Sequence, residues 1–110
     1  MTRLQAARHS LPGPATTLAV MLALLQAPAD AADPLRGAEL YRSHCSGCHG
    51  VGGRPVLPGA PDFSRPTSLL KPDPALLETI RTGRGGMPAY AGTLRDREIL
   101  DLISHLRTLR

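Results

Sequence analysis

Two thiols and an imidazole stand together in the segment HCSGCHG, His44 to Gly50, where His49 directly follows the second of two cysteines, Cys45 and Cys48. Four chemistries use such a cluster: structural zinc, a dithiol redox centre, a plain disulfide and attachment of a haem. Zinc wants four ligands, commonly from two separated pairs. Beyond the cluster, the chain after residue 31 offers only His44 and His105 and no second cysteine pair. A thioredoxin-like dithiol needs alternating strands and helices around it, and no segment after residue 32 has the period of a strand. A disulfide between residues three apart closes too small a loop to hold the chain together, and it leaves His49 without a part. Haem uses all three residues. Each thiol can form a thioether to a porphyrin vinyl group, and the adjacent histidine then ligates the iron from the proximal side.

Iron held from one side needs a second axial ligand. Met1 and Met21 fall in a segment read below as a cleaved leader, so Met87 is the remaining thioether. It stands in RTGRGGMPAY, Arg81 to Tyr90. Gly83, Gly85 and Gly86 remove bulk where a backbone must approach a flat ligand, and Pro88 pushes Met87 out of helical geometry into an extended conformation. The alternatives are His44, which belongs to the proximal side and reads as a surface residue, and His105. The latter lies on the flank of an apolar helical stripe beside Leu102 and Leu109 and reads as a packing residue.

The elements that position these residues follow from pattern and punctuation. Residues 1–31 read as an address: Arg3 and Arg8 precede an apolar run, TTLAVMLALLQA, too short to cross a bilayer. Behind it, small residues at Ala29 and Ala31 suit a signal peptidase. Cleavage there leaves a single domain over 32–110, about 79 residues with 11 basic and 8 acidic side chains, a net of +3. The basic residues are scattered, without the stripe and interleaved aromatics of nucleic-acid binding. Tyr41, Phe63 and Tyr90 are the only aromatics, in a size range where a core alone supplies little stability. Something large and apolar is missing from the polypeptide.

The fold is expected to be all-α, about three helices plus loops. Asp33 caps a helix with Pro34 in its first turn, which runs on through PLRGAELYRSH into the cysteine motif. Asp73 and Pro74 repeat the device for PALLETIRT, which Gly83 ends. Thr93 and Asp96 form a capping-box-like pair before a last helix whose apolar face is Ile99, Leu102, Ile103, Leu106 and Leu109. Between them, Val51 to Pro72 is too rich in proline and glycine for regular elements. A loop that long suits a compact domain only if it wraps a ligand.

HCSGCHG, APDF and GRGGMPAY followed by an amphipathic helix resemble a small bacterial monohaem class I cytochrome c over essentially all of residues 33–110. The resemblance implies the class I fold, with first and last helices crossing near the haem edge. It implies one haem c, covalent through Cys45 and Cys48 and ligated by His49 and Met87. It also implies that the Pro61 carbonyl accepts a hydrogen bond from the proximal histidine, orienting it and raising its basicity. The family's aromatic partner for Gly37 and Tyr41 falls here at His105. Without a tryptophan, Arg54, Arg84 and Tyr90 are the candidates for holding the propionates.

Iron closed by histidine and thioether changes charge without binding substrate, and the thioether raises its potential. The chain therefore reads as a periplasmic, non-enzymatic, outer-sphere electron carrier working between redox partner proteins, not membrane-spanning after cleavage. A dedicated haem subunit or electron acceptor of an exported dehydrogenase is the alternative, and a haem sensor or peroxidase-like enzyme is a third. N-terminal sequencing of the exported form should begin at Ala32; an intact Met1 in the membrane fraction would mean an uncleaved anchor.

Overall fold

The computed structural model describes residues 31–109 and Gly13. The apolar run and small-residue site read as a leader lie outside the described residues. Ala32–Arg110 is one compact unit. Its described residues form helices α1 (Pro34–His44), α2 (Ser46–His49), α3 (Asp73–Thr82) and α4 (Asp96–Leu106), with a 3₁₀ turn at Pro66–Leu69. The fold is all-α, with two isolated bridges as its extended pairing.

The start of α1 is built as the sequence indicates. The Asp33 carboxylate accepts from the N–H groups of Leu35 (2.9 Å) and Arg36 (3.2 Å), two of the donors a helix start leaves unpaired. α3 departs from the expectation. Its N-cap is Pro72, and Asp73 sits inside the first turn without capping it. The Asp73 carboxylate is taken instead by Arg107 from beyond the far end of α4, at 2.6 Å. Arg107 also donates to the carbonyls of Leu69 and Lys71, so one guanidinium ties the 3₁₀ turn and the start of α3 to the chain's last helix. The stretch expected to lack regular elements thus holds one short turn, fixed from outside. α4 starts differently as well. Its N-cap is Arg95, whose N–H donates to the Glu98 carboxylate at 3.0 Å. Thr93 takes no part in that cap, because the bridge between Ala91 and Leu94 turns the chain there and delays the helix.

α4 supplies the floor of the core: Ile99, Leu102, Ile103 and Leu106 are buried, joined by Leu40, Tyr41, Leu69, Leu76 and Ile80 from the other elements. Leu109 lies past the helix end and is half-buried against the same cluster. Burial of such side chains contributes roughly 1.5–3 kcal/mol each, so α4 is the element on which α1 and α3 both pack.

The crossing of α1 and α4 is set at Gly37. A Cβ there would lie 2.0 Å from the Asp101 carbonyl oxygen and 2.9 Å from the His105 Cβ. The backbones touch, which a side chain would forbid. The Asp101 carboxylate, itself buried, accepts from the Asp33 N–H at 2.7 Å, so the same turn of α4 fixes the start of α1. One turn further along, the Tyr41 ring packs on the His105 imidazole at 5.3 Å. His105 is thus a packing residue at the crossing, as its position on the helical wheel indicates. Gly37→Ala should therefore lower unfolding free energy by at least ~2 kcal/mol, although alanine is the better helix former. Denaturant unfolding of the cofactor-loaded protein measures this, and a stability equal to the parent would contradict the contact.

Candidate functional site

α1 delivers the chain to Cys45, where the backbone leaves helical geometry before the single turn of α2 carries Cys48 and His49. Both cysteines are free thiols, Cys45 half-buried and Cys48 exposed. Burial, with a smaller contribution from Cys48, pushes the Cys45 thiol up to about 11. A dithiol redox centre needs a thiol shifted the other way, toward thiolate. Among the described residues no three His, Cys, Asp or Glu side chains gather to hold a metal ion by themselves. The geometry thus favours neither the zinc nor the dithiol reading.

His49 is buried, and its ring lies nearly parallel to that of Phe63, with centroids 4.5 Å apart and planes at 20°. Burial holds the imidazole below its usual pKa, while the Pro61 carbonyl acts more weakly in the opposite direction. That carbonyl is near enough to influence the ring but closes no hydrogen bond of normal geometry, so the buried Nδ1 has no partner. A neutral imidazole keeps one ring nitrogen free to ligate, and the Nδ1 side, toward the Pro61 carbonyl, is the one from which such a ligand would be oriented.

Met87 is set by local structure. α3 ends at Gly83, whose φ is +76° and whose N–H donates to the Thr79 carbonyl. A Cβ at Gly83 would come within 2.6 Å of the Met87 carbonyl oxygen. Arg84 and Met87 then exchange backbone hydrogen bonds, 3.1 Å and 3.0 Å, across Gly85 and Gly86. This two-residue hairpin has glycine at positive φ in its first position, as a type II′ turn requires. The chain returns to α3 through Tyr90 N–H to Ile80 O (3.1 Å) and Ala91 N–H to Arg81 O (3.0 Å). Met87 is half-buried at the edge of the core.

The two segments meet at one cavity of about 730 Å³, within the range of small-molecule and cofactor sites. Cys45, Cys48, His49, Pro61 and Met87 all line it, with Leu69, Leu76, Ile80 and Leu106 supplying apolar wall. His49 and Met87 also border a second void of about 30 Å³ beside the core. The candidate propionate partners separate. Arg84 lines the cavity and Arg54 does not; the Tyr90 hydroxyl, though on the cavity, donates to the His44 carbonyl at 2.8 Å. His44 is exposed, at the Cys45 end of the motif, with its ring edge-on to Tyr90. Three contributions were not visible in the sequence. The Phe63 stack had one signal, the chain's lone phenylalanine two residues after Pro61. The reach of Arg107 and the Tyr90 bond to His44 had none, since both are long-range.

An apolar cavity with two unpaired thiols, a buried imidazole and a thioether on its lining fits a porphyrin bound by two thioethers. Comparison with known proteins agrees. Residues 32–106 match the family described as cytochrome C oxidase, cbb3-type, subunit III. Cytochrome c6 of Picosynechococcus is 29% identical over 108 residues, covering 83% of this chain and 85% of that protein. Cytochrome c6 of Thermosynechococcus vestitus is 30% identical over 96 residues, covering 84% and 83%. A solved c-type cytochrome superposes with a TM-score of 0.63 at 29% identity, covering 67% of this chain and 96% of that one. The structure of cytochrome c6 from the diatom Phaeodactylum tricornutum, at 22% identity and a TM-score of 0.61 over 69% and 92%, shares the fold.

Tyr41 closes the back of the site. Its hydroxyl donates to the Gly50 carbonyl at 2.6 Å, one residue past His49. Burial, reinforced by the nearby Cys45 sulfur, pushes the phenol from 10.0 up to about 12. A folded-state pKa raised above the unfolded value gives stability that is full below the unfolded pKa. It is lost as pH rises toward the folded one. Stability should therefore fall between about pH 10 and about pH 12, and Tyr41→Phe should flatten that fall in a pH series of denaturant unfolding. An equally steep decline in the variant would assign it to other groups.

Proposed function

The chain belongs to the cytochrome c family as a small monohaem class I member with one covalent haem c, and from that premise we propose that it is an exported carrier of single electrons, similar in its work to cytochrome c6. The observation that carries this reading is the joint presence of Cys45, Cys48, His49 and Met87 on one apolar cavity. In the proposal, residues 1–31 are a signal peptide and 32–110 the working domain in the periplasm. No described helix is long and apolar enough to cross a membrane. Cys45 and Cys48 would hold the haem through thioethers, His49 and Met87 would ligate its iron, and the Pro61 carbonyl would orient His49 from its Nδ1 side.

Bound in this way, haem supplies a one-electron couple at an iron with no open position. The protein's part is to keep the ligand atoms where they are in both charge states. His49 is clamped between a helical turn and the Phe63 ring, and Met87 rides on a two-residue hairpin, so neither support needs to move. The cavity's apolar wall excludes water from the centre. Leu57 lines the cavity and, with its neighbour Val56, exposes an apolar side chain, and the N–H groups of both donate to the Cys48 carbonyl. That places a dry contact patch beside an exposed attachment cysteine, where a redox partner can approach closely.

Met87→Ala should abolish the weak near-red absorption of thioether-ligated ferric haem and lower the reduction potential, while the haem stays attached after denaturation. The unsubstituted ferrous protein should bind carbon monoxide poorly at neutral pH. Retained near-red absorption in the variant would remove Met87 from the iron. Fast carbon monoxide binding or peroxide turnover by the parent would make the protein a sensor or an enzyme.

A further inference from the structure

We infer that the Tyr90 hydroxyl is a positioning group for Met87: by donating to the His44 carbonyl it ties the loop carrying Met87 to the end of the helix that delivers Cys45. The inference rests on the reading of Met87 as a ligand and adds what keeps it in place.

Methionine is unbranched and flexible, so where its sulfur rests depends on the backbone that carries it. Among the described residues, the loop's backbone anchors run to itself or to α3. Arg84 and Met87 bond each other, Tyr90 N–H goes to Ile80 and Ala91 N–H to Arg81. All of these move with α3. The opposite wall, with His44 and Cys45, belongs to α1, and both helices reach each other by packing on α4. Tyr90 bridges the walls directly, from a residue three after Met87 to one immediately before Cys45, at 2.8 Å across 46 positions of sequence. Both His44 and Tyr90 line the cavity, so the bond lies at the gap that must widen if Met87 withdraws.

Removing the hydroxyl alone leaves the ring edge-on to the His44 imidazole, where the centroids are 5.9 Å apart. The bond is lost to the Met87-ligated state, while a state with Met87 displaced has little use for it. One hydrogen bond of ordinary strength shifts such an equilibrium roughly two- to tenfold.

The test is titration of the ferric, haem-loaded full-length protein with imidazole, followed by loss of the near-red absorption, in the parent and in Tyr90→Phe. The imidazole concentration for half-displacement should fall roughly two- to tenfold in the variant. Unchanged displacement overturns the inference, even where the thermal midpoint falls, since a merely structural hydroxyl would move only the midpoint. A parent that lacks near-red absorption before any imidazole is added overturns the ligand reading beneath it, a visibly different failure. If Tyr90→Phe does not fold, proton NMR of the unsubstituted protein decides. A slowly exchanging Tyr90 hydroxyl proton supports the bond, and one lost to water exchange overturns it.

Discussion

Where α1 crosses α4, the backbone of Gly37 rests on the Asp101 carbonyl with no room for even a Cβ. Most of the site's geometry descends from that contact. Moving α1 outward by a methyl group would carry its C-terminal end, and with it Cys45, away from Leu106 and the cavity wall. The Asp33 N–H would then leave the buried Asp101 carboxylate, and the Tyr41 ring would leave His105. A close crossing also gives up apolar area, since a glycine has no side chain to bury. Tyr41 restores part of it by filling the next turn, 2% exposed and hydrogen-bonded to the Gly50 carbonyl. The crossing and the haem motif are thus held by one helix face: Gly37 sets the distance, and Tyr41 transmits it to the residue after His49.

The second constraint is size. The expected mature chain has three aromatics; among the described residues ten apolar side chains form the core cluster, and four of them, Leu69, Leu76, Ile80 and Leu106, also wall a cavity of about 730 Å³. A polypeptide of this length that leaves so much apolar wall uncovered is poorly stabilised by itself. The covalent cofactor therefore belongs to the core as much as to the chemistry. This explains a feature that looks unfavourable in isolation, the long proline-rich segment from Val51 to Pro72. It does not have to form a hydrophobic layer. It needs only to pass around a ligand, and Arg107 fixes its far end by taking the Leu69 and Lys71 carbonyls together with the Asp73 carboxylate.

What the sequence revealed and what it concealed divide by the range of the interaction. The cap at Asp33, the stop at Gly83, the buried face of α4 and the chemistry of Cys45, Cys48 and His49 are all decided within a few residues, and each was legible. Gly37 was legible only through the resemblance, because nothing local announces a crossing, whereas the packing role of His105 followed from its place on the helical wheel. The two caps expected at Asp73 and Thr93 were overruled by other contacts. Asp73 has the residue type and the following proline of a cap, but Arg107 claims its carboxylate from 34 positions away. Thr93 has the spacing of a capping box, but the Ala91–Leu94 bridge occupies the turn, and Glu98 serves Arg95 instead. Tyr90 was one candidate for holding a propionate, and its hydroxyl donates to the His44 carbonyl on the opposite wall.

The walls that carry His49 and Met87 are not held alike, and the difference bears on what the site can do. On the His49 side the support is continuous: a helical turn, an aromatic stack and the Tyr41 hydroxyl bond lie within a few residues, and the two attachment cysteines flank the same turn. On the Met87 side the hairpin is stiff in itself but projects from the end of α3. A displacement there meets resistance from the Tyr90 bond and from packing at the cavity edge. Under the proposed ligation the Met87 side would be the one to exchange, and the cross-cavity bond of Tyr90 lies on that side. For a carrier this allocation is sensible. Under the proposed ligation His49 and the two thioethers would define the haem's position, while the Met87 loop would have only to keep other molecules from the iron long enough for an electron to pass.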